Sequence, residues 1–387
     1  MTNYNNISSK FEKLFKEIRN NLKYKKNNFH ILSKNFEINF SNKDLKKMSN
    51  FKSLAILGMG GSILGTEAIY QFLEKKIKKK VVFFNDLNEE KIVNFKKTNK
   101  FNKVLFVVVS KSGNTLETLS NFIALNIIKK HSKNIIIISE KKNNILRSLV
   151  KSYNLFYIEH KDYVGGRYSV LSEVGLVPAY LMGLDIKKLR SNLTRYLNTR
   201  EKVLLKKLSL KLTNLLLNKK YSNIIFLNYS PRLEKFLFWA QQLLAESLGK
   251  KGLGFLPVVS NAPKDHHSLL QLYLDGPKNK FFYIFSCVEK PQKLLNSKKL
   301  PNELKYLDKK SLNKVKNSQR EALIKTFKKN KIQYEEFIIK KIDEKTLGEL
   351  FSLFILKTAI VGKLSNINPF DQPAVEQVKI FTKQILR

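Results

Sequence analysis

One pattern, used twice, limits what this chain can fold into. Residues 53–57, 81–85, 103–109 and 134–139 are short β-branched, aliphatic or aromatic runs, separated by helical stretches near 64–74, 89–97 and 116–130. A strand that is apolar on both faces must be covered on both, and helices between such strands supply the cover. The pattern therefore predicts a parallel sheet. After a lysine-rich helical segment at 186–218 the alternation returns. It runs as strand 223–228, helix 232–248, strands 255–259 and 281–285, helix 312–329 and strand 334–339. The repetition predicts an α/β protein of two similar doubly wound parallel-sheet lobes. We place a helical N-terminal segment at 1–50, where Phe11, Leu14, Phe15 and Ile18 fall at helical spacing. The first α/β domain is set at 51–190, the second at 191–344 and a helical tail at 345–387. The tail breaks at Asn368-Pro369-Phe370-Asp371, and Pro373 suits the first turn of a last helix.

At 387 residues, 43% of them hydrophobic, the chain can fill two cores. Its single cysteine, Cys287, rules out an internal disulfide or a cysteine-built metal site. The N-terminus lacks an apolar signal core, and Glu12 and Glu17 argue against an acid-poor transit peptide. The most membrane-like stretch, 350–361, is too short to span a bilayer and contains Lys357. These features predict a cytoplasmic protein with no membrane partner. The net charge of +41 invites a nucleic-acid reading. But lysines appear in nearly every polar segment and travel with asparagines, as in Lys25-Lys26-Asn27-Asn28 and Lys141-Lys142-Asn143-Asn144. Such a broad bias describes a solvated surface rather than one binding face, so no specific nucleic-acid partner is expected.

In open parallel sheets ligands bind beyond the carboxyl ends of strands. Two loops there carry unusual chemistry: Gly58-Met59-Gly60-Gly61-Ser62-Ile63-Leu64-Gly65 and Ser110-Lys111-Ser112-Gly113-Asn114-Thr115. Both offer backbone N–H groups and small hydroxyls, and a helix N-terminus adds positive dipole character suited to a phosphate. No Gly-Lys-Ser/Thr tail marks a triphosphate loop, and Ile63 stands where a dinucleotide fingerprint needs glycine. A second hydroxyl-rich loop, unnecessary for a dinucleotide, favours a phosphomonoester. The plainer reading of 110–115 is a helix N-cap without a ligand. A third loop, Val164-Gly165-Gly166-Arg167-Tyr168-Ser169, combines close backbone approach with a permanent cation. It is expected to follow the fourth strand. Glu246 lies near the end of a long helix stopped by Gly249, and His266 and His267 sit together in a polar loop. Metal ligation would require further ligands, and none stands at a recognisable spacing. Gln372, Glu376 and Lys379 share one face of the last helix.

Taken in order, these segments resemble the phosphoglucose isomerase family, built from two sugar-isomerase (SIS) domains. The resemblance runs from about Ser53 to Lys379 and is weak across 289–342 and the first fifty residues. It rests on Gly60-Gly61-Ser62, on Ser110-Lys111-Ser112 with Thr115-Leu116-Glu117-Thr118, and on Gly165-Gly166-Arg167-Tyr168-Ser169. It rests also on Glu246-Ser247-Leu248-Gly249-Lys250, on His267 followed by Gln271-Leu272, and on Phe370-Asp371-Gln372-Pro373-Ala374-Val375-Glu376 with Lys379. The departures are Gly113-Asn114 in the second loop and Ala374, where the family often carries glycine.

What the resemblance implies is a reversible glucose 6-phosphate to fructose 6-phosphate isomerase of glycolysis and gluconeogenesis, without cofactor or metal. Ser110, Lys111, Ser112 and Thr115 would hold the 6-phosphate, with Gly61 and Ser62 at the sugar. His267, aided by Lys379, would open the ring. Glu246 would carry the proton from C2 to C1, Arg167 would stabilise the cis-enediolate and Gln372 would orient the ligand. The family also implies a homodimer whose active sites are shared, the histidine coming from the second copy. The chemistry asks for these types, since a developing enediolate needs a preorganised donor, and arginine stays charged throughout. Two alternatives stand beside this reading: an isomerase that also accepts mannose 6-phosphate, and a noncatalytic sugar-phosphate sensor. A sensor would have no use for Glu246, His267 and Lys379 together.

Overall fold

The computed structural model describes residues 2–128, 132–291, 293–297, 299 and 301–387. Five parallel strands form the first sheet: β1 (Ser53–Leu57), β2 (Lys80–Phe84), β3 (Val104–Val109), β4 (Ile135–Glu140) and β5 (Phe156–His160), in the order β2-β1-β3-β4-β5. Every residue of β3 and β4 is buried, as strands covered on both faces must be. The second sheet is also parallel. It comprises β6 (Asn223–Asn228), β7 (Leu256–Asn261), β8 (Lys280–Cys287) and β9 (Tyr334–Ile339), in the order β7-β6-β8-β9. Ser53 pairs with both Lys80 and Val104, and Asn223 with both Leu256 and Lys280. The two sheets thus share one plan, a central first strand with a neighbour added on either side.

The helices around the sheets include α1 (Thr2–Asn21), α2 (Leu64–Leu73), α3 (Leu116–Leu125), α4 (Glu234–Leu248), α5 (Glu344–Leu364) and α6 (Glu376–Ile385). Helix α5 contains the stretch that looked membrane-like. It is a buried central helix packed on α4 and on the helix Thr199–Leu217, with Trp239 edge-on to Phe351 at 4.8 Å. Among the described residues no helix is long and apolar enough to cross a membrane. Helices α2 and α4 pack antiparallel. Gln71, near the end of α2, accepts from the Lys235 N–H at 2.7 Å near the start of α4, and Gly60 lies against Gln242 towards its end.

Three expectations need correction. Gln372 does not share a helix face with Glu376 and Lys379, because it precedes the short turn Pro373–Val375 and α6 begins only at Glu376. The arginine loop follows a fifth strand rather than the fourth. Strand β5 carries no unbroken apolar run, because Phe156-Tyr157-Ile158-Glu159-His160 mixes ionisable residues into an edge strand. Helix α3 ends at Leu125, where Asn126 takes a left-handed conformation (φ 52°), and residues 129 and 130 lie outside the described residues.

Candidate active site

The site begins with a close approach that only glycine permits. A Cβ on Gly61 would lie 2.3 Å from the carbonyl carbon of Gly166, so the loop after β1 and the loop after β5 touch backbone to backbone. That contact sets the position of the next residue, Arg167, which is 3% exposed. Its Nε donates to Ser247 Oγ at 2.8 Å, and Nη1 donates to Glu246 Oε2 at 3.1 Å and to Gln372 Oε1 at 2.8 Å. Nη2 donates to the carbonyls of Pro369 at 2.6 Å and Asp371 at 3.0 Å. All five guanidinium donors are therefore engaged. A buried cation is costly unless it is paired and hydrogen-bonded, and this one is both. Trp239 holds the Arg167 carbonyl at 3.2 Å, and the Tyr168 hydroxyl bridges Ser247 and Pro369. Burial raises the Tyr168 phenol to about 12, which keeps it a neutral donor.

Glu246 occupies the last turn of α4, its side chain 35% exposed. One oxygen faces Arg167, and the other accepts from Gln242 Nε2 at 2.8 Å. Gln242 was not a predicted site residue. Its signal is positional: it stands four residues before Glu246 on one helix face, and Gly60 leaves the room it occupies. Glu246 borders two clefts. One, of about 850 Å³, is lined by Lys250, Leu253, Asn368 and Gln372; the other, of about 430 Å³, by Leu64, Glu67, Asn85 and Gln242.

The 110–115 loop lies at the end of β3, next to the loop after β1, since a Cβ on Gly58 would sit 3.1 Å from the Val109 carbonyl. Ser110 and Thr115 hydrogen-bond to each other at 2.8 Å across the turn, and Ser112 accepts from the Asn114 N–H at 3.2 Å. Thr115 stands at the start of α3 but makes no side-chain cap. The turn is thus built around its hydroxyls rather than around helix capping. Gly113 has φ +66°, and a Cβ there would lie 1.9 Å from Asn144 Oδ1, so the departure at this position fits how the loop packs. Lys111 reaches sideways to the Asp162 carbonyl at 3.0 Å and to Glu140 at 3.4 Å.

The single chain brings Gly61, Ser62, Arg167, Glu246 and Gln372 together, with the 110–115 turn one strand away. It does not bring in the two remaining candidates. His267 is exposed in the short turn Lys264–His267 after β7, and its side chain makes no hydrogen bond among the described residues. Its neighbour His266 is bound to the Tyr229 hydroxyl at 2.7 Å, and burial lowers its pKa. Lys379 stands on α6, paired with Glu376 at 2.7 Å, both more than half exposed. Helix α6 lies almost wholly in solvent, with Val378 68%, Phe381 51% and Ile385 84% exposed.

Comparison with known proteins places this chain in a family. The description of the phosphoglucose isomerase family matches residues 26–254. A probable glucose-6-phosphate isomerase of Methanococcus maripaludis is 32% identical over 401 residues, spanning all of this chain and 89% of that one. The glucose-6-phosphate isomerase of Methanocaldococcus jannaschii is 32% identical over 350 residues, spanning 86% of this chain and 84% of its own. Among solved structures, a hypothetical protein from Thermus thermophilus superposes with a TM-score of 0.83 at 25% identity, covering 100% of this chain and 98% of that one. A glucose-6-phosphate isomerase from Chlamydia trachomatis shares the fold, with a TM-score of 0.72 at 18% identity over 89% of this chain and 73% of its own.

Proposed function

This chain belongs to the phosphoglucose isomerase family, and we propose that it interconverts glucose 6-phosphate and fructose 6-phosphate through a cis-enediolate. The observation that carries the reading is the fork of Arg167, which joins Glu246 from the second lobe and Gln372 from the tail to a loop of the first. A carboxylate beside a fixed guanidinium suits removal of a proton next to a carbonyl. The base takes the proton from C2 while the cation meets the charge that develops on the two oxygens. The same carboxylate returns the proton to C1, because the two carbons are adjacent and present it on one face. Ser110, Ser112 and Thr115 with the turn's N–H groups hold the phosphate, and Lys111 adds positive charge beside it. That remote binding energy positions the reacting carbons. Gly61 and Ser62 line the sugar, and Gln372 orients it. Gln242 orients Glu246 through its second oxygen.

Ring opening is assigned to His267 and Lys379, with His267 supplied by a second copy of the chain. The exposure of His267 and the unpartnered apolar residues of α6 support this homodimer. We retain the division at 50/51, 190/191 and 344/345 and a cytoplasmic, glycolytic setting. The test is conversion of fructose 6-phosphate after chelator treatment, with mannose 6-phosphate in parallel. We expect glucose 6-phosphate formation undiminished by chelation. Equal turnover of mannose 6-phosphate would widen the substrate assignment, and binding without turnover would make the protein a sensor.

A further inference from the structure

The second sheet has a crevice of its own. Its order, β7-β6-β8-β9, repeats the β2-β1-β3-β4 of the first, so the winding reverses between β6 and β8 as it does between β1 and β3. Such a reversal parts the loops beyond the two strand ends, and open α/β sheets take ligands in that gap. In the first sheet it lies between the loops at 58–65 and 110–115. In the second it lies between the loop after β6, which carries Arg232, and the loop after β8, which carries Val288 and Lys290. A cavity of about 370 Å³ is found there, closed on a third side by Phe72, Lys75 and Lys76 at the end of α2.

The walls are cationic. Arg232, its side chain 14% exposed, donates Nε to Glu289 at 3.0 Å and Nη1 to the Phe72 carbonyl at 3.4 Å. Its Nη2 has no hydrogen bond among the described residues. Lys76 pairs with Glu344 at 2.6 Å, and Lys75 and Lys290 are exposed at the mouth. The four cations outnumber the two carboxylates paired with them, so the cavity keeps a surplus of positive charge. Helix α4 starts beside Arg232 and carries Glu246 in its last turn. At about 1.5 Å per residue the crevice lies roughly 20 Å from the base, outside the isomerase site.

We propose that this crevice is a second anion site that takes a small phosphomonoester, its phosphate on Arg232 and Lys290 and its carbon chain against Val288, which is 58% exposed. The turn after β8, Val288-Glu289-Lys290-Pro291, has no hydroxyls or glycines to build a backbone cradle. Side-chain cations therefore do here what N–H groups and hydroxyls do in the first sheet. The volume lies near the lower end for small-molecule pockets, enough for a phosphorylated sugar and too little for a dinucleotide.

The site is read out by lysine acetylation and mass spectrometry on the intact protein, with inorganic phosphate or glycerol phosphate as probe and chloride at matched ionic strength as control. At saturating phosphate, acetylation of Lys75 and Lys290 should slow about threefold or more relative to chloride. Arg232→Gln should remove that protection. Lys290→Glu, an exposed change, should remove it at Lys75 and leave isomerase activity within about twofold. A larger effect of glycerol phosphate than of inorganic phosphate would identify the organic ester as the ligand class. Equal rates in phosphate and chloride, or protection that survives both substitutions, would overturn the proposal.

Discussion

Arg167 directs its guanidinium to residues as far as 205 positions away, and that reach makes it more than a charge at the edge of a cleft. Lysine at this position would keep the charge and lose the planar fork, so Ser247, Gln372 and the Pro369 and Asp371 carbonyls could not all be held at once. Arg167→Lys is expected to lower kcat about 10²- to 10³-fold with a smaller change in KM, because a cation no longer fixed by those contacts is misplaced for the charge that develops in the transition state. Steady-state kinetics with a parallel thermal-unfolding check separates this from loss of fold. A second residue-scale prediction concerns Lys357. Its amine is fully buried, has no hydrogen-bond partner among the described residues, and sits 4.0 Å from the Phe354 ring centroid and 4.3 Å from that of Tyr283. Burial lowers its pKa from 10.5 to about 7, with Glu335 opposing. Between those values the unfolded chain holds the proton more tightly than the folded one, so this group makes stability rise as pH climbs from about 7 towards 10.5. Lys357→Met should remove that rise and stabilise the protein at pH 7, by about 4 kcal/mol at most. Urea unfolding of both proteins at pH 7 and pH 9 measures it. A variant no more stable at pH 7 than its parent would refute the account of Lys357.

At the scale of elements, helices α2 and α4 link the two lobes, and α6 is the element left over. Its Val378, Phe381 and Ile385 recur at helical spacing, and none is covered in the single chain. A chain stopped after Val375 should sediment as a monomer and lose ring opening along with Lys379. It should still exchange the C2 proton of substrate that is already open-chain. Analytical ultracentrifugation and turnover at limiting enzyme test both parts, and a dimer that survives the truncation would put the interface elsewhere. Legibility also differs element by element. Strands β3 and β4 were plain in the sequence because covering both faces calls for unbroken apolar runs, here residues 104–109 and 135–138. Strand β5 was not, since Glu159 and His160 interrupt its apolar run. Gln242 was hidden for a different reason. A glutamine on a long helix has no signature until the carboxylate four residues on is known to matter.

The whole molecule brings together groups that no local pattern connects. The loops at 58–65 and 110–115 could be read as a phosphate cradle from composition and place. The roles of Arg167, Glu246 and Gln372 came from resemblance alone, because nothing in their spacing tells that a fork from one lobe closes on a helix end of the other. His267 and Lys379 stay outside the cluster for a physical reason of the same kind: the contacts they need are proposed to lie on a second copy of the chain. The surface charge of +41 belongs to this scale too, enriching anionic metabolites around the protein without specifying one. The central claim is that one carboxylate, Glu246, moves the proton between C2 and C1. Running fructose 6-phosphate in deuterium oxide with parent and Glu246→Gln, and reading the label at C2 of glucose 6-phosphate by mass spectrometry and NMR, tests it directly. The parent should give labelled product, and the variant should be slowed about 10³-fold or more with binding of substrate retained. Label appearing in the variant at the parent's rate would mean that another group is the base.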